Sequence, residues 1–238
     1  MSEPEHLDRR MRVGDQQTVS RFLAPLIPGS GGQRPISGLL VSLTAGGFIL
    51  LSLIGSATAA AEQRNCREPA IVPRADWSAA PAIENRMIRQ VPRSIVIHHT
   101  GVKSHPHLPL EQKLRDLQSY AQRPGSEDGR PKPALGDTPY HFFIGYGGRI
   151  GEGRSLDFAG DTRTNYDTAD RIQIVVEGDF DVEHPQDEQL ASLEELLCWL
   201  GGKFAIAKSS VRTHSEVAAT RCPGANLLSA LSRLKSGG

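Results

Sequence analysis

Two long stretches of the chain repeat apolar residues at the spacing of an α-helix. Leu110 to Gln122 and Asp187 to Phe204 each carry leucines three or four positions apart, which predicts one buried stripe on each helix. A third helix is expected over Ala225 to Leu234, directly after Pro223-Gly224. These three segments supply the helical layers of the predicted fold.

Shorter apolar runs predict strands. Ser94 to His99 and Ile172 to Val176 are rich in β-branched residues, and the first run ends in two histidines. Tyr140 to Tyr146 and Arg149 to Gly153, joined at Gly147-Gly148, predict a β-hairpin. Arg123 to Pro139, which is rich in proline and glycine, is expected to be a loop. Because helices and strands alternate, we expect a single α/β domain whose sheet is covered by helices.

The first 61 residues differ in composition from the rest. Residues 36–61 contain no charged side chain, Arg21 and Arg34 precede them, and an Ala57-x-Ala59 motif lies near their end. A basic region, an apolar region and a small-residue exit are typical of a secretory signal peptide. Because about 20 apolar residues can cross a bilayer, residues 36–56 could instead remain as a membrane anchor.

Both interpretations export the remainder to the periplasm or the extracellular space. Residues 62–73 are expected to form an arm or linker, and residues 74–236 the folded domain. The chain has 27 basic and 27 acidic residues, so its formal net charge is zero. A nucleic-acid partner is therefore not expected, because such a partner requires a basic face.

Three cysteines fit an exported protein poorly if all of them are free thiols, and two alternatives are open. If Cys222 binds a metal, Cys66 and Cys198 remain available to form a disulfide. Alternatively, Cys198 is a small buried apolar residue of a helix and Cys66 is a thiol on the arm. The sequence does not show whether their Cα atoms approach each other.

Four residues are singled out as candidate metal ligands: His98 and His99 at the end of a strand, and His214 and Cys222 further along the chain. Neighbouring residues of a strand point to opposite faces of the sheet, so one histidine of the pair can enter a site while the other packs elsewhere. Two imidazoles and one thiolate suit zinc. Three protein ligands would leave one coordination position open, which is typical of a catalytic zinc and indicates metal-assisted hydrolysis.

Several motifs occur in an informative order. They are Arg74-Ala75-Asp76-Trp77, Ile95 to Thr100, Tyr140 to Ile144, Gly148 to Arg154, Glu177 to Phe180, and His214 through Cys222-Pro223-Gly224. This ordered set resembles the zinc-dependent N-acetylmuramoyl-L-alanine amidases of the peptidoglycan recognition protein and phage amidase type. The resemblance covers about Ile71 to Leu234.

The resemblance implies a function and a set of site residues. His98, His214 and Cys222 would bind Zn²⁺ at the floor of an open groove, on a mixed β-sheet flanked by helices. Tyr140 and Thr220 would assist catalysis, by orienting water and by donating to the oxygen of the reacting carbonyl. The implied reaction is hydrolysis of the amide between N-acetylmuramic acid and L-alanine, in peptidoglycan or muropeptides.

Two departures from the family pattern bear on the substrate and on proton transfer. The chain has Ala159-Gly160-Asp161 where the family usually has Gly-Ala-His, so a histidine that often lines the groove is missing. Some related amidases have a glutamate beside the zinc where this chain has Val175, which would leave more of the proton handling to Tyr140. Glu177 lies nearby in sequence, but the pattern does not decide which face it occupies.

Two alternatives to a cell-wall amidase follow from the same residues. Resembling proteins that only bind peptidoglycan tend to lack the ligating cysteine and commonly carry serine, so Cys222 favours an enzyme over a non-catalytic binding or sensing module. A zinc hydrolase acting on another amide is the third hypothesis. Trp77 is expected to be a packing residue, and His105 and His107 are expected to be exposed to solvent.

Overall fold

A mixed β-sheet organises the chain. In this computed structural model, which describes residues 66–127, 129–162 and 164–236, the strands in chain order are β1 (Ile71–Val72), β2 (Ser94–His99), β3 (Gly125–Glu127), β4 (Arg130–Lys132), β5 (Phe142–Ile144), β6 (Ile150–Glu152), β7 (Arg171–Val176) and β8 (Val211–Thr213). Six of them form one sheet in the order β1-β6-β5-β7-β2-β8. β5 and β6 pair antiparallel and the other neighbours pair parallel, which confirms the expected mixed sheet.

Four helices accompany the sheet: α1 (Leu110–Gln122), α2 (Asp187–Phe204), the short α3 (His214–Val217) and α4 (Ala225–Ser236). Single 3₁₀ turns lie at Glu84–Arg86 and Lys208–Ser210. The bounds predicted for α1 and α2 are confirmed, and α4 runs slightly further than expected. The apolar periodicity of these segments therefore located the helices well.

The two faces of the sheet carry separate apolar clusters. On one face, isoleucines of β2 and β7 pack against leucines of α2 and α4. On the other face, a smaller cluster lies between α1 and the sheet and contains Trp77, Leu110, Leu114, Phe143 and Val175. The indole nitrogen of Trp77 donates to the backbone oxygen of Glu152 at 2.8 Å, which confirms Trp77 as a buried packing residue.

The hairpin predicted around Gly147-Gly148 is present as β5 and β6, with shorter strands. Gly148 has a φ of 79°, a conformation that glycine adopts without strain. A Cβ atom at Gly148 would also lie 2.6 Å from the backbone oxygen of Glu188, at the start of α2. The glycine therefore lets the hairpin turn pass close to the helix.

Several short elements were not predicted. The expected loop from Arg123 to Pro139 contains the β3–β4 hairpin, so that prediction was wrong in this part. β8 was also missed, because two- or three-residue strands have too few positions to show an alternating pattern.

The described part of the predicted arm is tied to the sheet. β1 pairs with β6, and Cys66 forms a disulfide with Cys198 of α2, with their Cα atoms 5.5 Å apart. The alternative in which both cysteines stay reduced is therefore wrong for this structure.

The predicted signal peptide or anchor, with its apolar residues 36–56, lies outside the described residues. Among the described residues, none of the helices combines the length and the apolar character that a membrane span requires.

Candidate metal centre

Three side chains predicted to bind zinc converge at one end of the sheet. His98 lies near the end of β2, His214 is the first residue of α3, and Cys222 lies in the turn before α4. One ligand atom of each lies within 4.8 Å of the others. His98, which lies more than 100 positions before His214 and Cys222, therefore meets them in a cluster that could hold a metal ion.

The pairing of β2 with β8 brings the two histidines to the same level. The strands run parallel with Ile97 opposite Thr213, so His98 and His214 are the next residues on each chain. Thr213 caps α3 in a capping box: its side chain accepts from the backbone N–H of Glu216, and its own backbone N–H donates to the Glu216 carboxylate. This cap turns the chain from strand to helix at His214, and the imidazole rings of His98 and His214 lie 4.4 Å apart between centroids.

Backbone contacts fix the turn that carries Cys222. The N–H of Ser215 donates to the backbone oxygen of Cys222 at 2.8 Å, which ties the turn to α3. Gly224 follows with a φ of 88°, and a Cβ atom there would lie 2.5 Å from the backbone of Phe180. The close approach made possible by this glycine brings the Cys222 sulfur to 3.7 Å from Nδ1 of His98.

Both candidate ligand histidines are held in the neutral form. Burial, followed by the nearby His214, lowers the pKa of His98 from 6.5 to about 3. Burial, followed by His99, lowers the pKa of His214 to about 4. A neutral imidazole has a lone pair to give to a metal, so neither ring has to lose a proton at neutral pH before it binds one.

The polar atoms of the cluster fit a zinc ion. Both ring nitrogens of His214 are buried and have no hydrogen-bond partner among the described residues, which costs free energy unless a ligand is bound. Burial raises the pKa of the Cys222 thiol to about 12, so a bound cation is needed to favour the thiolate. Two imidazoles and one thiolate around a shared point are a ligand set that zinc accepts.

The two predicted assisting residues lie beside the cluster. The ring of Tyr140 lies 5.2 Å from the ring of His98, and the Tyr140 backbone oxygen accepts hydrogen bonds from Thr138 and Arg154. Thr220 accepts a hydrogen bond from the N–H of Cys222 at 3.2 Å through its hydroxyl. Both side chains are half-buried, and both lie next to a ligand candidate.

Two residues of the site, Gln173 and Tyr166, were not predicted from the sequence. Gln173 is fully buried in β7, and its Oε1 lies 2.7 Å from Nε2 of His98. The Tyr166 hydroxyl donates to the same oxygen at 3.0 Å, and its ring lies 5.2 Å from that of His214. A glutamine inside an otherwise apolar strand is a signal that could have identified Gln173, because uncharged amides are seldom fully buried.

Other residues of interest lie outside the cluster. His99 points to the opposite face of the sheet, where Nδ1 accepts from the N–H of Phe180 at 3.2 Å. Val175 pairs in register with His98, and its side chain packs in the apolar cluster between α1 and the sheet. His105 and His107 are exposed, as expected.

Glu177 acts as a buried structural acceptor. Its carboxylate accepts hydrogen bonds from Lys113 at 2.7 Å and from the backbone N–H groups of His105 and Tyr146 at 2.8 Å. These contacts join α1, the loop after β2 and the β5–β6 turn. The hydrogen bonds of the Glu177 carboxylate therefore hold these three elements together rather than supporting the ligand candidates.

Known proteins resemble the part of the chain that contains the candidate site. A family model described as N-acetylmuramoyl-L-alanine amidase matches residues 88–225. The chain is 31% identical over 182 residues to peptidoglycan recognition protein 1 of Mus musculus, which covers 75% of this chain and 90% of that protein. It is 25% identical over 162 residues to an N-acetylmuramoyl-L-alanine amidase of Homo sapiens, which covers 66% of this chain and 27% of that protein.

The fold also matches solved structures. The crystal structure of Drosophila peptidoglycan recognition protein SD has a TM-score of 0.57 and 28% sequence identity, over 69% of this chain and 94% of that chain. The likeness confirms the predicted sheet flanked by helices. The range matched by the family model contains all three ligand candidates.

Proposed function

Because this chain belongs to the N-acetylmuramoyl-L-alanine amidase family, we propose that it is a zinc-dependent amidase that hydrolyses peptidoglycan. The bond cleaved is the amide between N-acetylmuramic acid and the L-alanine of the stem peptide. The observation that carries the proposal is the convergence of His98, His214 and Cys222, with ligand atoms within 4.8 Å of one another.

These three residues would hold the ion and leave one coordination position for the reaction. When bound, zinc would act as a Lewis acid that polarises the scissile carbonyl and lowers the pKa of bound water toward ~7. The chain's own contribution is to keep both imidazoles neutral by burial and to hold Cys222 beside His98. The buried nitrogens of His214 support this role, since they have no hydrogen-bond partner among the described residues.

Tyr140 and Thr220 would act on the substrate itself. The Tyr140 ring lies 5.2 Å from His98, so its phenol can orient the attacking water or donate to the developing oxyanion. Thr220 accepts from the Cys222 N–H through a lone pair, and its hydroxyl proton can be donated to the same oxyanion. Since Val175 rather than a carboxylate stands opposite His98, Tyr140 carries more of the proton transfer.

An exported location supports a cell-wall substrate. The Cys66–Cys198 disulfide is typical of proteins that fold outside the reducing cytoplasm. The uncharged residues 36–61 and the small-residue motif Ala57-x-Ala59 supply a secretory signal or an anchor. We therefore propose that the domain works in the periplasm or the extracellular space.

A non-catalytic peptidoglycan-binding or sensing module is the second candidate. The observation in its favour is that several similar proteins, from rat, mouse and Drosophila, are named recognition proteins rather than amidases. Such a module would bind cell-wall sacculi without releasing stem peptides, and it would not require stoichiometric zinc.

A muropeptide digest distinguishes the two functions. The zinc-loaded protein is incubated with soluble muropeptides, and mass spectrometry follows release of the intact stem peptide from the sugar. We expect release by the parent, none by Cys222→Ser, and parental release by His107→Ala, whose imidazole is exposed. A Cys222→Ser variant as active as the parent would overturn the mechanism, and binding to sacculi without release by the parent would favour the sensing module.

A further inference from the structure

Gln173 is a polar residue in a position that packing alone would give to an apolar one. It lies between Ile172 and Ile174 in β7, and none of its surface is exposed. Its Nε2 is buried and has no hydrogen-bond partner among the described residues. A leucine would fill the same space without leaving a donor unsatisfied. The role of the amide therefore lies in the hydrogen bonds that its oxygen accepts.

The oxygen of Gln173 receives two donors at once. Nε2 of His98 lies 2.7 Å from Oε1, and the hydroxyl of Tyr166 lies 3.0 Å from the same atom. An amide oxygen only accepts, so the His98 nitrogen that faces it carries the proton. The other nitrogen of that ring, Nδ1, is the one that lies 3.7 Å from the Cys222 sulfur.

His141 holds the backbone of Gln173 with two hydrogen bonds. Its N–H donates to Nδ1 of the buried His141 at 2.8 Å, and its backbone oxygen accepts from the N–H of His141 at 2.9 Å. Gly160 provides the room for the side chain, because a Cβ atom there would lie 2.4 Å from Cγ of Gln173. A large residue in β7 and a glycine in the neighbouring loop are thus fitted to each other.

Tyr166 connects this arrangement to a second ligand candidate. Its ring lies 5.2 Å from the ring of His214, while its hydroxyl contacts Gln173. The tyrosine belongs to the segment that follows Ala159-Gly160-Asp161, where the sequence departs from the family pattern. One loop residue therefore touches the His214 ring and the amide that binds His98.

We propose that Gln173 is a positioning residue of the metal centre, which holds the proton on Nε2 of His98 and so presents Nδ1 to the ion. Tyr166 holds the Gln173 amide in the orientation that does this. The inference rests on the proposed zinc site and deepens it. A ligating histidine whose second nitrogen donates to a fixed acceptor is held in one tautomer and one ring orientation, which strengthens metal binding.

Zinc affinity, measured by competition with a chromophoric chelator, tests the inference without any substrate. We expect Gln173→Leu to weaken zinc binding about 10- to 100-fold, the range typical when such a partner is lost. Gln173→Glu keeps an acceptor oxygen and is expected to bind close to the parent. The matched control is Gln118→Leu, which removes another buried glutamine, one that bonds Ala80 and Asp137 instead of a ligand candidate.

Cobalt(II) substitution gives a signature that loss of stability alone would not produce. We expect the visible bands of the cobalt protein to shift or broaden in Gln173→Leu and to remain parental in Gln118→Leu and Gln173→Glu. If Gln173→Leu does not fold by circular dichroism, Tyr166→Phe decides the matter, because it removes only one half-buried hydroxyl. That variant is expected to lose about 2- to 10-fold in zinc affinity, the equivalent of one hydrogen bond.

The results separate this inference from the proposed function. Parental zinc affinity and an unchanged cobalt spectrum in Gln173→Leu would overturn the positioning role while leaving the metal centre in place. Parental affinity in Tyr166→Phe would do the same where the leucine variant does not fold. A parent protein that binds neither metal would overturn the proposed metal centre, and the inference with it.

Discussion

At the scale of single residues, burial sets the chemistry of the candidate site. His98 and His214 are neutral because the interior disfavours their charged forms, and the Cys222 thiol keeps its proton for the same reason. A divalent cation changes this balance, since it stabilises the thiolate and satisfies the lone pairs of both rings. The same burial that disfavours charge on these side chains therefore makes the cluster suited to a metal ion.

The buried His141 provides a prediction about acid stability. Burial lowers its pKa from 6.5 to about 4, so below pH 6.5 the unfolded chain takes up a proton that the folded protein does not. The folded state consequently loses stability as the pH falls from 6.5 toward 4. We expect this one residue to account for about 2 kcal/mol of the loss between pH 7 and about pH 4.5.

Urea denaturation in the presence of a chelator measures the effect. His141→Gln is expected to be less stable than the parent at pH 7, but to lose about 2 kcal/mol less on acidification. His107→Gln, at an exposed position, is expected to follow the parent. An acid dependence in His141→Gln equal to that of the parent would contradict the account of this histidine.

At the scale of elements, periodicity predicted the long segments and missed the short ones. The bounds of α1, α2 and β2 follow from runs of six or more residues in which the apolar pattern repeats. β1 and β8 have two and three residues, so no period is visible, and their place in the sheet comes from pairing with β6 and β2.

The site was predicted by the same local evidence, and only in part. The ordered motifs identified the three ligand candidates, because each motif surrounds its residue in the sequence. Gln173 and Tyr166 escaped notice because their role depends on a contact between β7 and a loop, which no local pattern records. The sequence therefore predicted the residues that would bind a metal, but it did not predict Gln173 and Tyr166, which position them.

The packing of α1 gives a prediction at this scale. Leu114 is fully buried between α1 and the sheet, and a Cβ atom at Gly151 of β6 would lie 2.5 Å from its Cδ1. We expect Leu114→Ala to lower the free energy of unfolding by about 2–5 kcal/mol, since a cavity would remain beneath the helix. Chemical denaturation measures the loss.

Ser119→Ala is the matched control for that helix. Ser119 is exposed in α1, so its replacement by alanine is expected to change stability by less than about 0.5 kcal/mol. Equal stability of Leu114→Ala and Ser119→Ala would show that α1 does not depend on this contact.

At the scale of the whole molecule, the disulfide joins distant parts of the described chain. Cys66 and Cys198 are 132 positions apart, and the bond fastens the segment that leads into β1 onto α2. The candidate metal centre lies on other elements and would use the third cysteine, Cys222. Stability and metal binding are therefore expected to be separable.

Removing the disulfide tests that separation. The double variant Cys66→Ala with Cys198→Ala is expected to lose about 2–5 kcal/mol of stability, because the unfolded chain is no longer constrained by a long covalent loop. Its zinc affinity is expected to equal that of the parent at a temperature where both are folded. A variant that keeps its stability, or that loses its zinc affinity while folded, would contradict this description.

The most direct test of the central claim is zinc K-edge X-ray absorption on the zinc-loaded protein. We predict one sulfur at about 2.3 Å and two imidazole nitrogens at about 2.0–2.1 Å, with a light atom completing the tetrahedron. The sulfur signal should disappear in Cys222→Ser and persist in the Cys66→Ala, Cys198→Ala double variant. A bound zinc without any sulfur neighbour, or with a sulfur that survives Cys222→Ser, would contradict a centre built from His98, His214 and Cys222.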